Sequence, residues 1–547
     1  MKKFFHFLSK NKIHLLYIYP FFYLFAGIYF RLLLGGTSLR SVDPDYVYFI
    51  NGLDISQGYF KVAHIDHPGT PLQYLAALVF RITYLFRADA STGYVQDVLS
   101  HSDFYLSILN LCITALLTVS IYVAGKYVYR KTGSVLYAML VQTIPFISVI
   151  LYEIIGRIIP ELLIPLPLLA LTAFFIGKTH EQNNEYTKKD LAVLSLIIAF
   201  GLSIKLTLIL LWVIPLLVVK KWKTKMQAFG LSVVFFFIIA FPVALQAERF
   251  WRWTKALFIH SGQYGGGEKN IVDIARFTEN LASMATLQTH FSYLVVIALI
   301  VAVVSFFRFW KKQNIQVRKK QIVLLAVLLA ILVQIVVSGK HYAPRYFMPA
   351  LMFVPLLVYL IFEITKELYS IKLIHSGLMI LLSLFLLWHF RQQIIVINYT
   401  SPEVENHTSG RKKTQNIAET FEQGSIKIIV SQDYGCPFPE YALLFSTAWT
   451  KNKRKPFYAE ELGKIYPTTY QYTTWDDKFR YWGDDFQPEK IIENNTPVYL
   501  YLEKNSEDLY AKTLKKLDPR NQFNINRNEI HLNPRNNEVL YQLYFRK

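Results

Sequence analysis

The stretch LAVLSLIIAFGLSIKLTLILLWVIPLLVV, residues 191–219, decides the fold class of this chain. Its one charged residue, Lys205, lies at the centre of the stretch. In a single membrane-spanning helix that ammonium group would be buried at mid-membrane, which costs about 3 kcal/mol. Basic residues favour the cytoplasmic side of a membrane, and two lysines flank the stretch at each end: Lys188, Lys189, Lys220 and Lys221. We therefore predict a hairpin of two short helices that lifts Lys205 to the outer surface.

Similar apolar blocks recur along most of the chain. Hydrophobic residues make up 53% of the sequence, charged residues 18%, and the mean hydropathy is +0.28. An ordinary soluble protein has roughly 25% charged residues, so this composition excludes a soluble enzyme and a disordered chain. A helix needs about 20 apolar residues to cross the hydrocarbon core. We predict eleven spans: 13–34, 104–125, 133–152, 158–177, 191–204, 206–219, 227–246, 289–308, 321–338, 346–363 and 372–390.

The formal net charge of +20 does not indicate a nucleic-acid partner, because most basic residues before the C-terminal region flank the apolar blocks. That distribution follows the positive-inside rule. It predicts a multi-pass protein of the plasma membrane or inner membrane, with residues 1–12 in the cytoplasm. An odd number of spans then places the C-terminal region outside. The predicted domains are a transmembrane domain, 1–390, and an extracytoplasmic domain, 391–547.

The C-terminal region has a different pattern from the rest of the chain. Its apolar blocks are short, at Ile426–Val430, Val498–Leu502 and 539–544, with a helical pattern between the last two. Short apolar runs of this kind are typical of strands. We therefore predict an α/β or α+β domain that follows an α-helical polytopic membrane domain.

The first outer loop, residues 35–103, contains an acidic motif, Asp43-Pro44-Asp45, directly after the first span. A carboxylate at this place can act as a general base or bind a divalent cation. Asp-Pro-Asp is also a common way to cap a helix and begin a turn. Three more polar residues lie further along the loop: His64, Asp66 and His67. They fit an acceptor-binding site, a weakly indicated metal site or a purely structural role in the loop.

Several cationic or polar residues are predicted on the same side of the membrane as this loop. Each of them alone is typical of an interfacial anchor. Together they suit a lipid-linked phosphate, because arginine forms a fork around the phosphate and lysine supplies a point charge. The phosphate-binding candidates are Arg157, Lys205, Lys340, His341 and Arg345. The outer loop 247–288 adds His260 and Tyr264 beside a glycine triplet, which is either a flap or a flexible linker.

These residues, in this order, resemble the GT-C superfamily of polyprenyl-phosphate-sugar-dependent glycosyltransferases. The closer likeness, over roughly residues 13–390, is to the bacterial relatives of protein O-mannosyltransferases and to lipid A aminoarabinose transferases. The matching elements are Asp43-Pro44-Asp45-Tyr46, Gly58, the segment 67–72, Ile159-Pro160-Glu161, the segment 201–205 and the segment 345–349. The acidic pair is Asp-Pro-Asp here instead of Asp-Glu, so either aspartate fits the motif, and the spacing to Gly58 favours Asp43.

The resemblance implies an inverting hexosyl- or pentosyltransferase. A loop-one aspartate would take the proton of the acceptor, and Arg345 and Lys205 would stabilise the departing polyprenyl phosphate. The implied partners are a polyprenyl-phosphate-linked sugar, membrane lipid, and a glycan, lipid or protein acceptor, with no nucleic acid. No cofactor is required, and a divalent metal ion stays possible.

Three other functions are open at this stage. A flippase or transporter of lipid-linked sugars would often show paired repeats and polar residues at mid-membrane, and the sequence shows neither. An O-antigen ligase or polymerase usually has its long outer loop late in the chain, whereas the acidic loop here is the first. A membrane-anchored interaction protein would need only one span.

Overall fold

The computed structural model describes residues 12–87, 93–181, 185–309, 315–369, 371–432, 434–474, 476–486, 488–492 and 496–546. The segment 1–12, predicted to be cytoplasmic, falls outside this part of the chain except for its last residue. Membrane-length helices dominate the structure up to residue 418, and a seven-stranded mixed sheet follows. The predicted fold class, a polytopic helical membrane protein with a C-terminal α/β or α+β region, is confirmed.

Eight helical segments in the described ranges are long and apolar enough to cross a membrane. Each overlaps one of the eleven predicted spans. They are Ile13–Leu34, Ser102–Thr132, Pro160–His180, Trp222–Ile239, Thr289–Phe309, Ile315–Lys340, Pro344–Leu368 and Lys372–Ala418.

The other three predicted spans form shorter pieces. The first, 133–152, is interrupted at Pro145, because proline lacks a backbone donor and clashes with the preceding helical turn. The remaining two, 191–204 and 206–219, correspond to the short segments that flank Lys205. Together these regions form the helices Val135–Gln142, Leu151–Ile154, Lys188–Ile204 and Ile214–Val218 and the 3₁₀ segments Ile144–Phe146 and Leu206–Val213.

The chain reverses direction at Lys205, as the hairpin prediction requires. The helix before it ends where the Lys205 backbone becomes extended, with φ −158° and ψ 137°. A Cβ atom added to Gly201 would lie 3.1 Å from Leu211 Cδ1. In a straight helix the Cα atoms of residues 201 and 211 would be about 15 Å apart, so this close contact requires the chain to turn between them. Lys205 lies at this turn but is buried within the protein, with only 4% of the residue exposed; its place on the outer side of the membrane stays a prediction.

The outer loop 35–103 folds into helices of its own. The helix Thr70–Phe86 buries Leu72 and Phe80 on one face and exposes Leu85 and Phe86. Its 17 residues extend about 25 Å, less than the hydrocarbon core, and include Arg81. Its exposed apolar face suits the membrane interface. The remaining helices of the loops are Asp45–Ser56, Tyr94–Ser100, Phe241–Ala244, Ala247–Ile259 and Ile274–Leu287, and the remaining 3₁₀ segments are Lys12–Tyr17, Thr37–Leu39, Pro160–Leu163 and Gln263–Gly265.

The last long helix, Lys372–Ala418, has 47 residues. At 1.5 Å per residue it is about 70 Å long, more than twice the thickness of the hydrocarbon core. It therefore extends beyond the membrane and leads into the sheet. The predicted domain boundary at residue 390 lies inside this helix, so the division of the chain into two domains stays a prediction.

The strands of the sheet are β1 (Ile426–Val430), β2 (Thr469–Thr473), β3 (Lys478–Tyr481), β4 (Asp484–Asp485), β5 (Val498–Leu502), β6 (Asn524–Asn533) and β7 (Glu538–Arg546). Their order across the sheet is β4-β3-β2-β1-β5-β7-β6. The central strand β1 runs parallel to β2 and β5, and all other neighbours are antiparallel. The helices Pro439–Thr447, Lys455–Ile465, Glu489–Ile492 and Glu507–Leu517 connect them.

The sheet region packs directly against the first outer loop. Val42 N–H donates to the Tyr434 carbonyl at 2.6 Å, and Cys436 N–H donates to the Ser38 carbonyl at 2.8 Å. Both parts must therefore lie on the same side of the membrane. The side of the membrane on which they lie stays a prediction. That prediction was based on an odd number of spans, and the structure has eight helices of membrane length in its described ranges.

Candidate active site

Asp45 is fixed by the fold. It is the first residue of the helix Asp45–Ser56 and is fully buried. Its carboxylate accepts hydrogen bonds from Arg157 Nε at 3.2 Å, Arg157 Nη2 at 2.7 Å and Ile158 N at 2.5 Å. Arg157 also donates to the Ser41 hydroxyl and to the Asp43 carbonyl. Arg157, predicted to bind a donor phosphate, thus uses its guanidinium group to hold the acidic turn.

Asp43, two residues earlier, is in a different environment. It is half-buried, and no side chain or backbone group in the described ranges forms a hydrogen bond with its carboxylate. Burial raises the pKa of this carboxyl group and Asp45 raises it further, whereas the charges of Arg157 and Arg345 lower it. Within the acidic motif, the Asp45 carboxylate is thus engaged by hydrogen bonds of the fold. The Asp43 carboxylate has no such bond among the described residues and can bind another group.

Lys205 forms a buried ion pair with Glu161 at the end of the bundle near Asp43. Glu161 is 3% exposed, and its carboxylate accepts from Lys205 Nζ. The same ammonium group lies 4.8 Å from the ring centroid of Tyr346. An attraction between a cation and an aromatic ring is strongest when the cation is shielded from water. Lys205 is therefore held by one carboxylate and faces the aromatic side chain that follows Arg345.

Arg345 is exposed, unlike Lys205. Its guanidinium group lies 5.2 Å from the Tyr346 ring centroid and donates one long hydrogen bond, 3.4 Å, to the Tyr346 hydroxyl. The Tyr264 hydroxyl is 3.3 Å from the same hydroxyl. A guanidinium group has five N–H donors, so most of those of Arg345 are free to bind an anion. The charge of Arg345 also lowers the pKa of the Asp43 carboxyl group.

His67 lies beside this cluster. Its ring meets the rings of Trp253 and Tyr264 edge-on, with centroid distances of 5.2 and 6.0 Å. Burial lowers the pKa of His67 to about 3, and the positive charge of Lys205 acts in the same direction. His67 is therefore a neutral side chain, able to donate or accept one hydrogen bond.

His64 and Asp66 point to other neighbours. His64 is buried edge-on against Tyr48 and Trp449, and this burial lowers its pKa to about 4. Asp66 pairs with Arg249 at 3.6 Å. Within the described ranges, no group of three or more His, Cys, Asp or Glu residues is arranged to hold a metal ion.

Lys340 and His260 have contacts within the outer loop 247–288. Lys340 Nζ donates to the carbonyl groups of Leu257 and Phe258, at 2.5 and 3.1 Å. These carbonyls belong to the last turn of the helix Ala247–Ile259, where a cation is favoured by the helix dipole. His260 Nδ1 lies 3.0 Å from the Gly267 carbonyl. Neither residue has a hydrogen bond or ion pair with Asp43 or Lys205 among the described residues, and their roles in binding stay predictions.

A cavity of about 690 Å³ opens next to the cluster. Its polar end is formed by His67, Tyr264 and Tyr346, which contact one another in turn. Lys340 and His341 also line the cavity. The rest of its wall is almost wholly apolar and comes from the hairpin after Lys205, the outer loop 247–288 and the helix Ile315–Lys340. The apolar lining residues are Leu206, Ile209, Trp212, Val213, Leu257, Phe258, Ile271, Val272, Phe277, Val333, Val336 and Val337.

Two residues that shape the cluster, Glu161 and Tyr346, were noticed in the sequence but were not among the predicted site residues. Both occur inside the matched motifs, in Ile159-Pro160-Glu161 and next to Arg345, yet neither was assigned a role. A signal was present for Glu161, since a carboxylate and a lysine at two predicted outer turns are plausible partners. No such signal exists for Tyr346, because its role depends on how closely Lys205 approaches its ring.

No family model matches the chain. No curated protein matches it either. Two crystal structures of ArnT from Cupriavidus metallidurans are similar to it, each at 12% sequence identity over 95% of this chain and 97% of that one. The structure bound to undecaprenyl phosphate gives a TM-score of 0.47, and the apo structure gives 0.45.

Proposed function

We propose that this chain is a membrane glycosyltransferase that moves a hexose or pentose from a polyprenyl phosphate to an acceptor outside the cytoplasm. One observation supports this function above the others. The apolar cavity is lined by cationic and aromatic side chains that include Tyr346, whose ring is approached by Arg345 and Lys205. The turn that carries Asp43 is held by Arg157, four residues before Glu161, the partner of Lys205.

The cavity suits the lipid part of the donor. Polyprenyl phosphate is a long apolar chain that ends in one charged group, and the cavity has the same division between its wall and its polar end. Pockets of 300–1,000 Å³ are typical of small-molecule sites. The isoprenoid units next to the phosphate would lie between the hairpin and the helix Ile315–Lys340, and the rest of the lipid would continue into the bilayer.

The phosphate would bind between Arg345 and Lys205, in front of Tyr346. Arg345 can form a fork around two phosphate oxygens. Lys205, whose charge is balanced by Glu161, would offer an N–H donor beside Tyr346. Charges that are already in position when the leaving group departs stabilise the transition state without reorganisation. Tyr264 and neutral His67 offer further hydrogen bonds to the phosphate or to the sugar.

Asp43 would be the general base. The acceptor oxygen or nitrogen attacks the anomeric carbon from the face opposite the phosphate and forms the new glycosidic bond. The bond from the anomeric carbon to the phosphate oxygen breaks, and its electron pair leaves with polyprenyl phosphate. The acceptor proton passes to Asp43. A single displacement of this kind inverts the anomeric configuration, and no step needs a cofactor.

The lipid-binding half of the proposal is tested by filling the cavity. Val333→Trp adds an indole ring to the cavity wall, whereas Leu332→Trp adds the same ring on the neighbouring, exposed face of that helix. We expect Val333→Trp to raise the KM for the lipid-linked donor at least ten-fold and Leu332→Trp to leave it unchanged. Equal KM values for both variants and the wild type would show that the donor does not use this cavity.

The phosphate-binding half is tested at Arg345. Arg345→Ala should reduce donor turnover far more than Arg345→Lys, because lysine keeps the charge and loses only the fork. If both variants turn over the donor at the wild-type rate, Arg345 is only an interfacial anchor. A transporter would move the intact lipid-linked sugar in this assay, whereas a transferase would release free polyprenyl phosphate.

A further inference from the structure

The backbone directly before the acidic motif is held by the C-terminal region at three points. Two of them are the backbone hydrogen bonds of Ser38 and Val42 described above. The third comes from a side chain, since Arg411 Nη1 donates to the Leu39 carbonyl at 2.9 Å. Because Val42 directly precedes Asp43, these three bonds set the direction in which the chain enters the acidic motif.

Arg411 is itself fixed inside the C-terminal region. It lies near the end of the helix Lys372–Ala418, and its side chain is largely buried. Its Nε donates to the Glu538 carboxylate at 2.6 Å, and the other oxygen of that carboxylate accepts from Asn533 Nδ2 at 3.0 Å. A hydrogen bond between two ionised groups is shorter and stronger than a neutral one. Arg411 therefore links the beginning of β7, through Glu538, to the first outer loop.

The two segments come closest at Gly435. A Cβ atom added there would lie 2.7 Å from the Leu39 carbonyl oxygen and 3.0 Å from the Arg40 carbonyl oxygen. Glycine allows this close approach of one backbone to another because it has no Cβ atom. The segments 434–436 and 38–42 thus pack backbone to backbone, so a displacement of one is passed to the other.

The segment 38–42 continues into the turn that carries Asp43. The Ser41 hydroxyl donates to the Asp43 carbonyl at 2.7 Å, and Arg157 donates to both of these groups. The backbone of this turn is therefore held by Arg157 of the helical bundle on one side and through Leu39 by Arg411 of the C-terminal region on the other.

We infer that Arg411 is a positioning residue of the candidate active site, which holds residues 38–42 against the C-terminal region and so places the Asp43 carboxylate. The inference rests on the proposed function, in which Asp43 takes the proton of the acceptor. A general base must lie within hydrogen-bonding distance of that proton, and a displacement of about 1 Å can lower a rate about 10²-fold. In this role Arg411 acts through the backbone of Leu39 and not on the substrate itself.

The test removes the arginine together with its carboxylate partner, so that neither charge is left buried alone. Arg411→Met with Glu538→Gln is such a variant, because replacing both members of a buried ion pair by uncharged residues is often neutral for stability. The matched control is Arg454→Met with Asp54→Asn, which removes another ion pair between the C-terminal region and the first outer loop. Asp54 lies about 14 Å further along its helix than Asp45.

Sugar transfer and backbone hydrogen exchange are measured on each full-length protein in detergent. We expect Arg411→Met with Glu538→Gln to lower kcat about 10²-fold. The KM for the donor should stay at the wild-type value, because in the proposed function the donor binds at Arg345 and the cavity. Peptides that cover residues 38–46 should exchange faster than in the wild type. The control should keep both the wild-type kcat and the wild-type exchange of residues 38–46.

A second variant displaces the same segment and keeps the ion pair. Gly435→Ala adds a Cβ atom against the carbonyl oxygens of Leu39 and Arg40. It should therefore lower kcat at an unchanged KM and speed the exchange of residues 38–46. Two separate routes to one displacement keep the test independent of the fate of either variant.

Two results would overturn the inference. A wild-type kcat in both variants would show that the contact does not position Asp43. A loss of kcat that the control matches would show that loosening any contact of the C-terminal region lowers transfer. Failure of the proposed function has a different signature, since the wild-type chain would then transfer no sugar from polyprenyl phosphate. The exchange of residues 38–46 would in that case decide alone whether Arg411 holds the turn.

Discussion

The two aspartates of the acidic motif should respond in opposite ways to the same substitution. Asp43→Asn should abolish most of the transfer activity and leave the fold intact, whereas Asp45→Asn should destabilise the fold. The reason is that the carboxylate of Asp43 has no hydrogen-bond partner among the described residues, while that of Asp45 accepts three hydrogen bonds, two of them from Arg157.

The size of each effect follows from these environments. Removing one partner of a buried ion pair typically costs about 3–5 kcal/mol, because the other charge is left buried without compensation. Asp45 is fully buried, so Asp45→Asn should lower the free energy of unfolding by about that amount. Losing a general base typically lowers the rate about 10²–10⁴-fold, and Asp43→Asn should lower kcat by that factor.

The stability of the Asp43 variant has a definite sign. Burial and the neighbouring Asp45 raise the pKa of the Asp43 carboxyl group. Protonation of Asp43 therefore stabilises the folded chain at low pH, and this contribution is lost as the pH rises through the folded-state pKa. At neutral pH the ionised carboxylate opposes burial, so Asp43→Asn should leave the unfolding midpoint unchanged or slightly raised.

Two measurements on purified protein check this prediction. Release of polyprenyl phosphate from a lipid-linked sugar reports activity, and thermal unfolding in detergent reports stability. The reasoning is refuted if Asp43→Asn transfers sugar at the wild-type rate, or if Asp43→Asn lowers the unfolding midpoint more than Asp45→Asn does. If Asp45→Asn is stable and inactive, the role of base moves by two residues.

Three further predictions concern the pH profile, the buried lysine and the contact between the outer loop and the sheet region. Because the pKa of Asp43 is raised, activity should fall on acidification from a pH above the ordinary aspartate value of about 3.9, and a pH–rate profile measures this limb. Lys205→Met should lower the free energy of unfolding by about 3–5 kcal/mol, since it leaves Glu161 buried without a partner. Adding Glu161→Gln should restore stability but not activity, and recovered turnover in that double variant would contradict the phosphate role of Lys205. Arg454→Gln should lower the unfolding midpoint, because Arg454 donates to the fully buried carboxylate of Asp54 at 2.8 Å, and faster proteolysis between the outer loop and the sheet region would report the loosened contact.

The membrane part of the fold was largely predictable from local patterns. A single charge in a long apolar stretch was enough to predict the reversal at Lys205, since no other arrangement satisfies both basic flanks. The burial of that charge and its partner were not predictable. Lys205 is buried because Glu161, 44 residues earlier in the chain, meets it in the fold, and no local pattern encodes a contact over that separation.

The sheet region was predicted only in part. The apolar runs of β1, β5 and β7 identified these strands, because a buried strand reads as a short block of branched and aromatic residues. The polar runs of β2, β3 and β4 gave no such signal, since these strands form one side of the sheet through backbone pairing. The central place of β1, between β2 and β5, depends on crossovers that the sequence does not specify.

For the candidate site too, part of the result was predictable from the sequence and part was not. The acidic motif, Lys205 and Arg345 were all identified from the sequence, and the structure places them at one end of the bundle. Their separate tasks were not identifiable. Nothing in the sequence assigns Asp43 and Asp45 to different tasks. In the structure, Asp45 begins a helix beside Arg157 and pairs with it. Arg157, predicted from the sequence to bind phosphate, is therefore engaged by a carboxylate of the chain itself.

The most direct test is an experimental structure of the chain with undecaprenyl phosphate. We predict that the phosphate lies within hydrogen-bonding distance of the Arg345 guanidinium group and close to Lys205, with the first isoprenoid units in the cavity lined by Trp212, Val333 and Phe277. The Asp43 carboxylate should face the side of the phosphate on which a sugar would be attached. A lipid phosphate bound away from Arg345 and Lys205, with the cavity closed or filled by side chains, would contradict the proposed function.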